Sequence, residues 1–211
     1  MKLIKALMWG IIIASFVIAV YLYPQMPEQM ASHWNAAGEV DGFMSKLWGL
    51  FLMPLVLVGM YLLFVGIPRI DPLKHNIQKF MKYYEGFILL IIAFMFYVYL
   101  LTLLWSLGFR FNIGQMMVPA LGGLFYYVGI LTENAKRNWF IGIRTPWTLS
   151  SDRVWNKTHK IGGKLFKVCG VIAVTGILFG NYVIWFVIVP VLAVAVYTIA
   201  FSYFEYQKVK G

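Results

Sequence analysis

Residues 165–203 are almost wholly apolar. As one helix this run would be roughly 58 Å long at 1.5 Å per residue, nearly twice the ~30 Å hydrocarbon core of a bilayer. The run must therefore fold back, and Gly180-Asn181 is the turn signal inside it. Two crossings follow, over 165–179 and 182–203. Four further apolar segments precede them, over 3–22, 47–67, 86–107 and 113–131. In lipid a backbone has no water to bond, so only helices or closed barrels span it, and these runs have helical length. The expectation is an all-α polytopic membrane protein of six spans, with 1–211 as a single membrane domain. Pro54, Pro119 and Pro190 fall inside spans and are expected kinks, tolerable where neighbouring helices re-satisfy the freed carbonyls.

Composition agrees. Charged residues make up 12% and hydrophobic ones 61%, against about 25% charged in soluble domains. The net charge of +10 would suggest nucleic acid in a soluble protein. Here its distribution gives a better account, and no direct nucleic-acid binding is expected. Lys2 and Lys5 precede the first span, and the 23–46 loop sets only Lys46 against Glu28, Glu39 and Asp41. Arg69, Lys74, Lys79 and Lys82 follow the second span, and Arg110 alone lies in the 108–112 turn. The 132–164 loop carries Lys136, Arg137, Arg144, Arg153, Lys157, Lys160 and Lys164, and the tail carries Lys208 and Lys210. Basic and poor segments alternate at every crossing. Positive-inside bias then places both termini, and the 132–164 loop, in the cytoplasm, with the 23–46 loop outside. The first span reads as a retained anchor, because Tyr21-Leu22-Tyr23-Pro24 offers no small-residue cleavage site. Cys169 is single, so no disulfide framework or thiolate metal site is expected.

The outer loop concentrates polar chemistry in residues 32–42. His33, Trp34, Asn35, Gly38, Asp41 and Gly42 are its candidate recognition residues, with Asp41-Gly42 a turn signal. Trp34 offers stacking area, and His33, Asn35 and Asp41 offer directed hydrogen bonds that could converge at one end of a compact loop. The alternative makes Trp34 an interfacial anchor and the polar residues turn caps. One His and one Asp are too few ligands for zinc, so no metal and no cofactor is expected.

The inner loop carries the second constellation: Asn138, Gly142, Arg144, Thr145, Pro146, Trp147, Asp152, Trp155, Thr158 and His159. Ser150 or Ser151 can N-cap a short helix through Trp155 and His159. Arg144-Thr145-Pro146-Trp147 reads as a rigid extended element. The alternative is an amphipathic surface helix, with aromatics in the headgroups and cations on anionic lipid. No Gly-rich phosphate loop, nucleophile elbow or His-Glu zinc pattern is present, so no enzyme is expected.

The two loops together resemble the hallmarks of the SdpI-type immunity protein family. The outer module is matched at Pro24, Pro27, His33, Trp34, Asn35, Gly38, Asp41, Gly42 and Lys46. The inner module is matched at Asn138, then through Gly142-Ile143-Arg144-Thr145-Pro146-Trp147-Thr148-Leu149-Ser150, and at Trp155, Thr158, His159, Gly162 and Gly163. The resemblance keeps order and spacing from end to end. It implies residence in a prokaryotic cell membrane and protection against a secreted, membrane-active toxin peptide. It also implies a link to signalling, in which a cytosolic transcriptional repressor is held at the membrane. Expected partners are thus membrane lipid, a toxin peptide outside and a repressor inside; assigning one loop to each follows from the topology. A transporter or channel is the second class, though its spans would be expected to carry more ionisable groups. A membrane-embedded enzyme using Arg144, Asp152 and His159 is the third.

Overall fold

The computed structural model describes residues 2–35 and 38–210. Ala36 and Ala37 of the outer-loop motif lie outside the described residues. The protein is an all-α polytopic membrane protein whose six long helices are each apolar and long enough to cross a bilayer. These are α1 (Lys2–Leu22), α2 (Lys46–Ile70), α4 (Met81–Ser106), α5 (Ile113–Asn134), α7 (Asp152–Thr175) and α8 (Trp185–Lys210). Two short helices lie between them, α3 (Lys74–Gln78) and α6 (Pro146–Ser150). The outer loop contributes an antiparallel hairpin, β1 (Gln29–Trp34) and β2 (Val40–Ser45).

The helices run up and down, so the hairpin, the 107–112 turn and the 176–184 turn gather at one end. Segments 71–80 and 135–151 and the end of α8 gather at the other, which carries most of the cations. Two apolar clusters hold the first half together. Met8, Ile12, Leu57, Ile77, Ile88, Ile92 and Trp155 belong to one. Ala19, Met26, Met30, Leu50, Tyr99 and Leu103 belong to the other, which locks β1 onto α1, α2 and α4. The second half is joined differently. α5 and α7 pack backbone to backbone, through Gly122 against Gly170 and Gly129 against Gly163. Lipid supplies no hydrophobic drive between helices, so close approach through small residues is how such pairs gain contact.

Two local features differ from the sequence reading. The segment expected to be extended around Pro146 is helical. Thr145 caps α6 in a reciprocal capping box with Thr148, and Pro146 occupies the first turn, where its missing N–H costs nothing. The fifth long helix starts at Asp152 rather than near residue 165, so the short capped helix and the fifth crossing are one continuous α7. Ser151 caps it, its hydroxyl accepting from Val154 N–H. The cations Lys157 and Lys167 do not interrupt α7, because each finds a carboxylate on a neighbouring helix: Glu205 at 2.6 Å and Glu133 at 2.8 Å. Lys167 thus pairs inward, with α5. The chain then loosens into 3-10 geometry through Tyr182, and Gly180 takes the left-handed backbone (φ 55°) at the expected turn. α2, α5 and α8 continue through Pro54, Pro119 and Pro190.

Candidate functional site

At the hairpin end, Trp34 meets Trp105 of α4 edge to face, with ring centroids 6.1 Å apart and an 87° interplanar angle. Arg110 lies 4.0 Å over the Trp105 ring and donates from Nη1 to the Trp105 carbonyl at 2.6 Å. Trp34 is therefore built into a Trp-Trp-Arg stack within the protein. His33 Nδ1 and Asp41 Oδ1 meet at 2.5 Å. Both side chains are well exposed, at 70% and 45%, so the pair orients the strands and adds at most about 1 kcal/mol. Asn35 turns instead to Glu39: its Oδ1 accepts from Glu39 N–H at 3.1 Å, and its Nδ2 donates to Glu39 Oε2 at 3.2 Å.

The two glycines have distinct reasons. Gly42 lies opposite His33, where a Cβ would come within 2.9 Å of the His33 Cβ. Gly38 has φ +84°, and a Cβ there would press on the Asn112 side chain at 3.2 Å. The hairpin tip is thus seated on Asn112, which also N-caps α5 by accepting from Gln115 N–H.

Beneath this hairpin lies a cavity of about 370 Å³. Trp34, Asn35 and Asn112 form its polar rim, and Val118, Leu121 and Val183 its apolar wall. The Trp34 indole N–H is buried and has no acceptor among the described residues.

At the basic end, the inner loop is a closed hydrogen-bond lattice. Asn138 is fully buried and uses its whole side-chain capacity. Oδ1 accepts from Phe140 N–H at 2.9 Å and Ile141 N–H at 2.6 Å. Nδ2 donates to the Lys136 and Ile141 carbonyls at 2.8 and 2.9 Å. His159 is equally occupied. Its Nε2 accepts from Ile143 N–H at 3.0 Å, which leaves Nδ1–H to donate to the Trp155 carbonyl at 2.9 Å. Gly142 (φ +112°) passes so close that a Cβ would come within 2.3 Å of His159 Nε2. Trp155 is fully buried, stacks on His159 at 3.9 Å and donates from Nε1 to the Ala135 carbonyl at 2.9 Å.

Thr145 and Thr148 cap α6, and Thr145 Oγ1 meets Ser202 Oγ of α8 at 3.1 Å. Trp147 packs edge to face on Tyr203 at 5.1 Å. Thr158 is buried with no partner for its hydroxyl among the described residues. Arg144 is exposed and closes the loop by donating from Nη1 to the Trp139 carbonyl at 2.8 Å. Asp152 is an outward-facing partner of Arg137, with Nε–Oδ1 at 2.8 Å, a contact of charges rather than an aligned hydrogen bond. Arg144, Asp152 and His159, the suspects for catalysis, thus bond to three different partners. Among the described residues no group of three or more His, Cys, Asp or Glu could hold a metal ion.

Several residues that organise the two ends were not singled out in the sequence. Asp71, 2% exposed, accepts from Trp139 N–H at 2.9 Å and from Leu73 N–H at 2.6 Å, tying the second connection to the inner loop. Its signal was the Asp71-Pro72 step, a turn initiator. Arg137 donates to the Leu149 carbonyl at 2.9 Å, and its own carbonyl accepts from Asn76 Nδ2 at 2.9 Å. Glu205 is buried between Lys157 and Lys208, at 2.6 and 2.7 Å. It is the one acidic residue of α8, and that isolation was its signal. Trp105, Arg110 and Asn112 carried no local signal of partnership with the hairpin.

A family model described as the SdpI/YfhL protein family matches residues 134–202, which hold the inner loop, α6, α7 and most of α8. A domain of unknown function, DUF1648, matches residues 10–58 and so covers the hairpin and the adjoining parts of α1 and α2. Over 202 residues, 95% of each chain, the protein is 32% identical to immunity protein SdpI of Bacillus subtilis (strain 168). The chain belongs to the SdpI family. A shorter likeness joins this SdpI-family chain to the uncharacterized membrane protein YbgB of the same organism. That match is 35% identical over 51 residues, 24% of this chain and 56% of the other. No solved structure matches it. In this SdpI-family member the first matched region contains the hairpin and the second contains the lattice.

Proposed function

We propose that the protein is an immunity protein that binds a secreted, membrane-active toxin peptide at its hairpin end. The observation that carries this reading is the cavity of about 370 Å³ under the hairpin, with an apolar wall, a polar rim and the buried Trp34 indole N–H lacking an acceptor among the described residues. A peptide supplies what such a wall needs, an apolar side chain for the cavity and a backbone carbonyl for the N–H. Burying that N–H unpaired costs about 1–3 kcal/mol, which a bound carbonyl would recover. Relationship to an immunity protein over 95% of both chains supports the same reading.

Protection is tested in a sensitive Bacillus subtilis strain that lacks its own immunity protein and is challenged with the peptide that kills it. Trp34→Phe keeps a ring against Trp105 and removes the N–H. Leu121→Trp fills the cavity. Both variants should reach the membrane at normal levels and lose protection by tenfold or more, on the order of one lost hydrogen bond or one blocked subsite. Full protection by both at matched levels rules the site out.

The reading places the hairpin end outside and the basic end in the cytoplasm, from the charge asymmetry. Alkaline phosphatase fused after Gly108 should be active, and after Lys74 inactive. The reverse pattern would invert the model. At the basic end, the lattice residues have their bonds inside the loop, whereas Trp139, Phe140 and Arg144 are exposed. Contact with a cytosolic repressor is assigned to that exposed set.

A further inference from the structure

A second cleft, of about 200 Å³, opens at the basic end between α1, α2 and α4. Its wall contains Glu85, only 6% exposed, whose carboxylate has no hydrogen bond or ion pair with any described residue. Lys5 and Arg69 also line the cleft; both are exposed and likewise unpaired among the described residues. The Glu85 carboxylate therefore opens to the cleft, and with two unpaired cations on the same wall the cleft offers charge of both signs to a single occupant.

Helix register orders these groups by depth. Lys5 stands in the second turn of α1, Glu85 in the second turn of α4, and Arg69 in the last turn of α2. One turn deeper on the same faces, the cleft is lined by Met8, Ile88 and Val65, with Phe64 beside them. A charged level therefore overlies an apolar level. A simple anion would meet Glu85, and a simple cation would meet Lys5 and Arg69. One carboxylate is too few ligands for a calcium site. The occupant that satisfies all three charges and the apolar floor carries a phosphate, a primary ammonium and a hydrocarbon tail.

We propose that this cleft is a binding site for a zwitterionic aminophospholipid of the phosphatidylethanolamine type. Its phosphate lies on Lys5 and Arg69, its ammonium donates to Glu85, and an acyl chain follows Met8, Phe64 and Ile88. The site is separate from the hairpin cavity and requires neither toxin nor repressor.

The test uses the purified full chain, delipidated in detergent and titrated with phosphatidylethanolamine, phosphatidylcholine or phosphatidylglycerol, with bound lipid read by native mass spectrometry. The wild type should bind phosphatidylethanolamine about tenfold better than the other two, the worth of one charge-assisted hydrogen bond. Glu85→Gln should abolish that preference and raise phosphatidylglycerol binding. The double variant Lys5→Ala/Arg69→Ala should weaken all three lipids. A series on the wild type alone, in which the headgroup amine carries zero to three methyl groups, needs no variant to fold. Affinity should fall as N–H donors are removed. A flat methylation series, equal binding of the three lipids, or an unchanged preference in a folded Glu85→Gln protein would overturn the assignment.

Discussion

Gly122→Ala should destabilise the protein by about 1–3 kcal/mol, the usual cost of overpacking, whereas Gly123→Ala should leave stability unchanged or raise it by up to about 1 kcal/mol. The two glycines are adjacent in one helix, and helix propensity favours alanine at both. Their surroundings differ. A Cβ on Gly122 would come within 2.8 Å of the Gly170 carbonyl oxygen and 2.6 Å of Val174 Cγ2, while a Cβ on Gly123 meets nothing within 4 Å. The reciprocal contacts are equally tight: a Cβ on Gly170 would stand 2.5 Å from the Gly122 carbonyl oxygen. One further contact on each helix repeats the arrangement, with Gly129 against the Gly163 carbonyl oxygen at 2.5 Å. Backbone cannot move aside as a flexible side chain can, so α5 and α7 must separate. Thermal unfolding of the purified variants in detergent, together with their level in the membrane, measures the difference. Equal melting of the two variants would mean that the seam does not hold the second half together.

Asn138→Ala should be as damaging or more so, at about 3 kcal/mol or above. The change orphans two N–H groups and two carbonyls in a buried loop, and each buried group left unpaired costs about 1–3 kcal/mol. Some relaxation toward water will recover part of the sum. Asn138→Asp keeps the acceptor for Phe140 and Ile141 but sets a buried carboxylate oxygen against the Lys136 and Ile141 carbonyls, so it should be no milder than alanine. Because the lattice connects Asp71, Trp139, His159 and Ser202 through successive bonds, its loss should loosen α8 as well as the loop. Amide exchange at Ile141 and Ile143 reports this directly. Wild-type protection and melting in Asn138→Ala would show the lattice to be dispensable.

How far each end was legible follows from the kind of information each needed. The six crossings were readable because lipid imposes one rule on every residue of a span, and a run of apolar residues states compliance locally. The charge alternation was readable for the same reason. Gly180 was readable because a long apolar run needs a turn and glycine is the residue that permits it. The loop motifs were visible as unusual chemistry, and they led to the family. What those residues touch was not visible. His33, Asn35 and Asp41 could be expected to converge in one loop, but Asn35 pairs with Glu39 and Trp34 meets a tryptophan on another helix. The helical turn at Pro146 was read as extended, although Thr145 and Thr148 stand at capping-box spacing, with Thr148 in place of the usual Glu or Gln.

The sequence alone thus determined the solvent of this protein, its six crossings and the segments that carry its chemistry, since each depends on residues close together in the chain. Only the tertiary structure decided which glycines are seams, which cations are neutralised and where space is left open. Gly122 and Gly123 are identical in any local reading and differ only in what stands opposite. Lys157 and Glu205 are too far apart in sequence for helix or strand periodicity to relate them, yet they meet at 2.6 Å between α7 and α8. The two clefts are defined by side chains from three or more elements each. An unfilled space has no residue of its own, so it becomes readable only once the helices are packed.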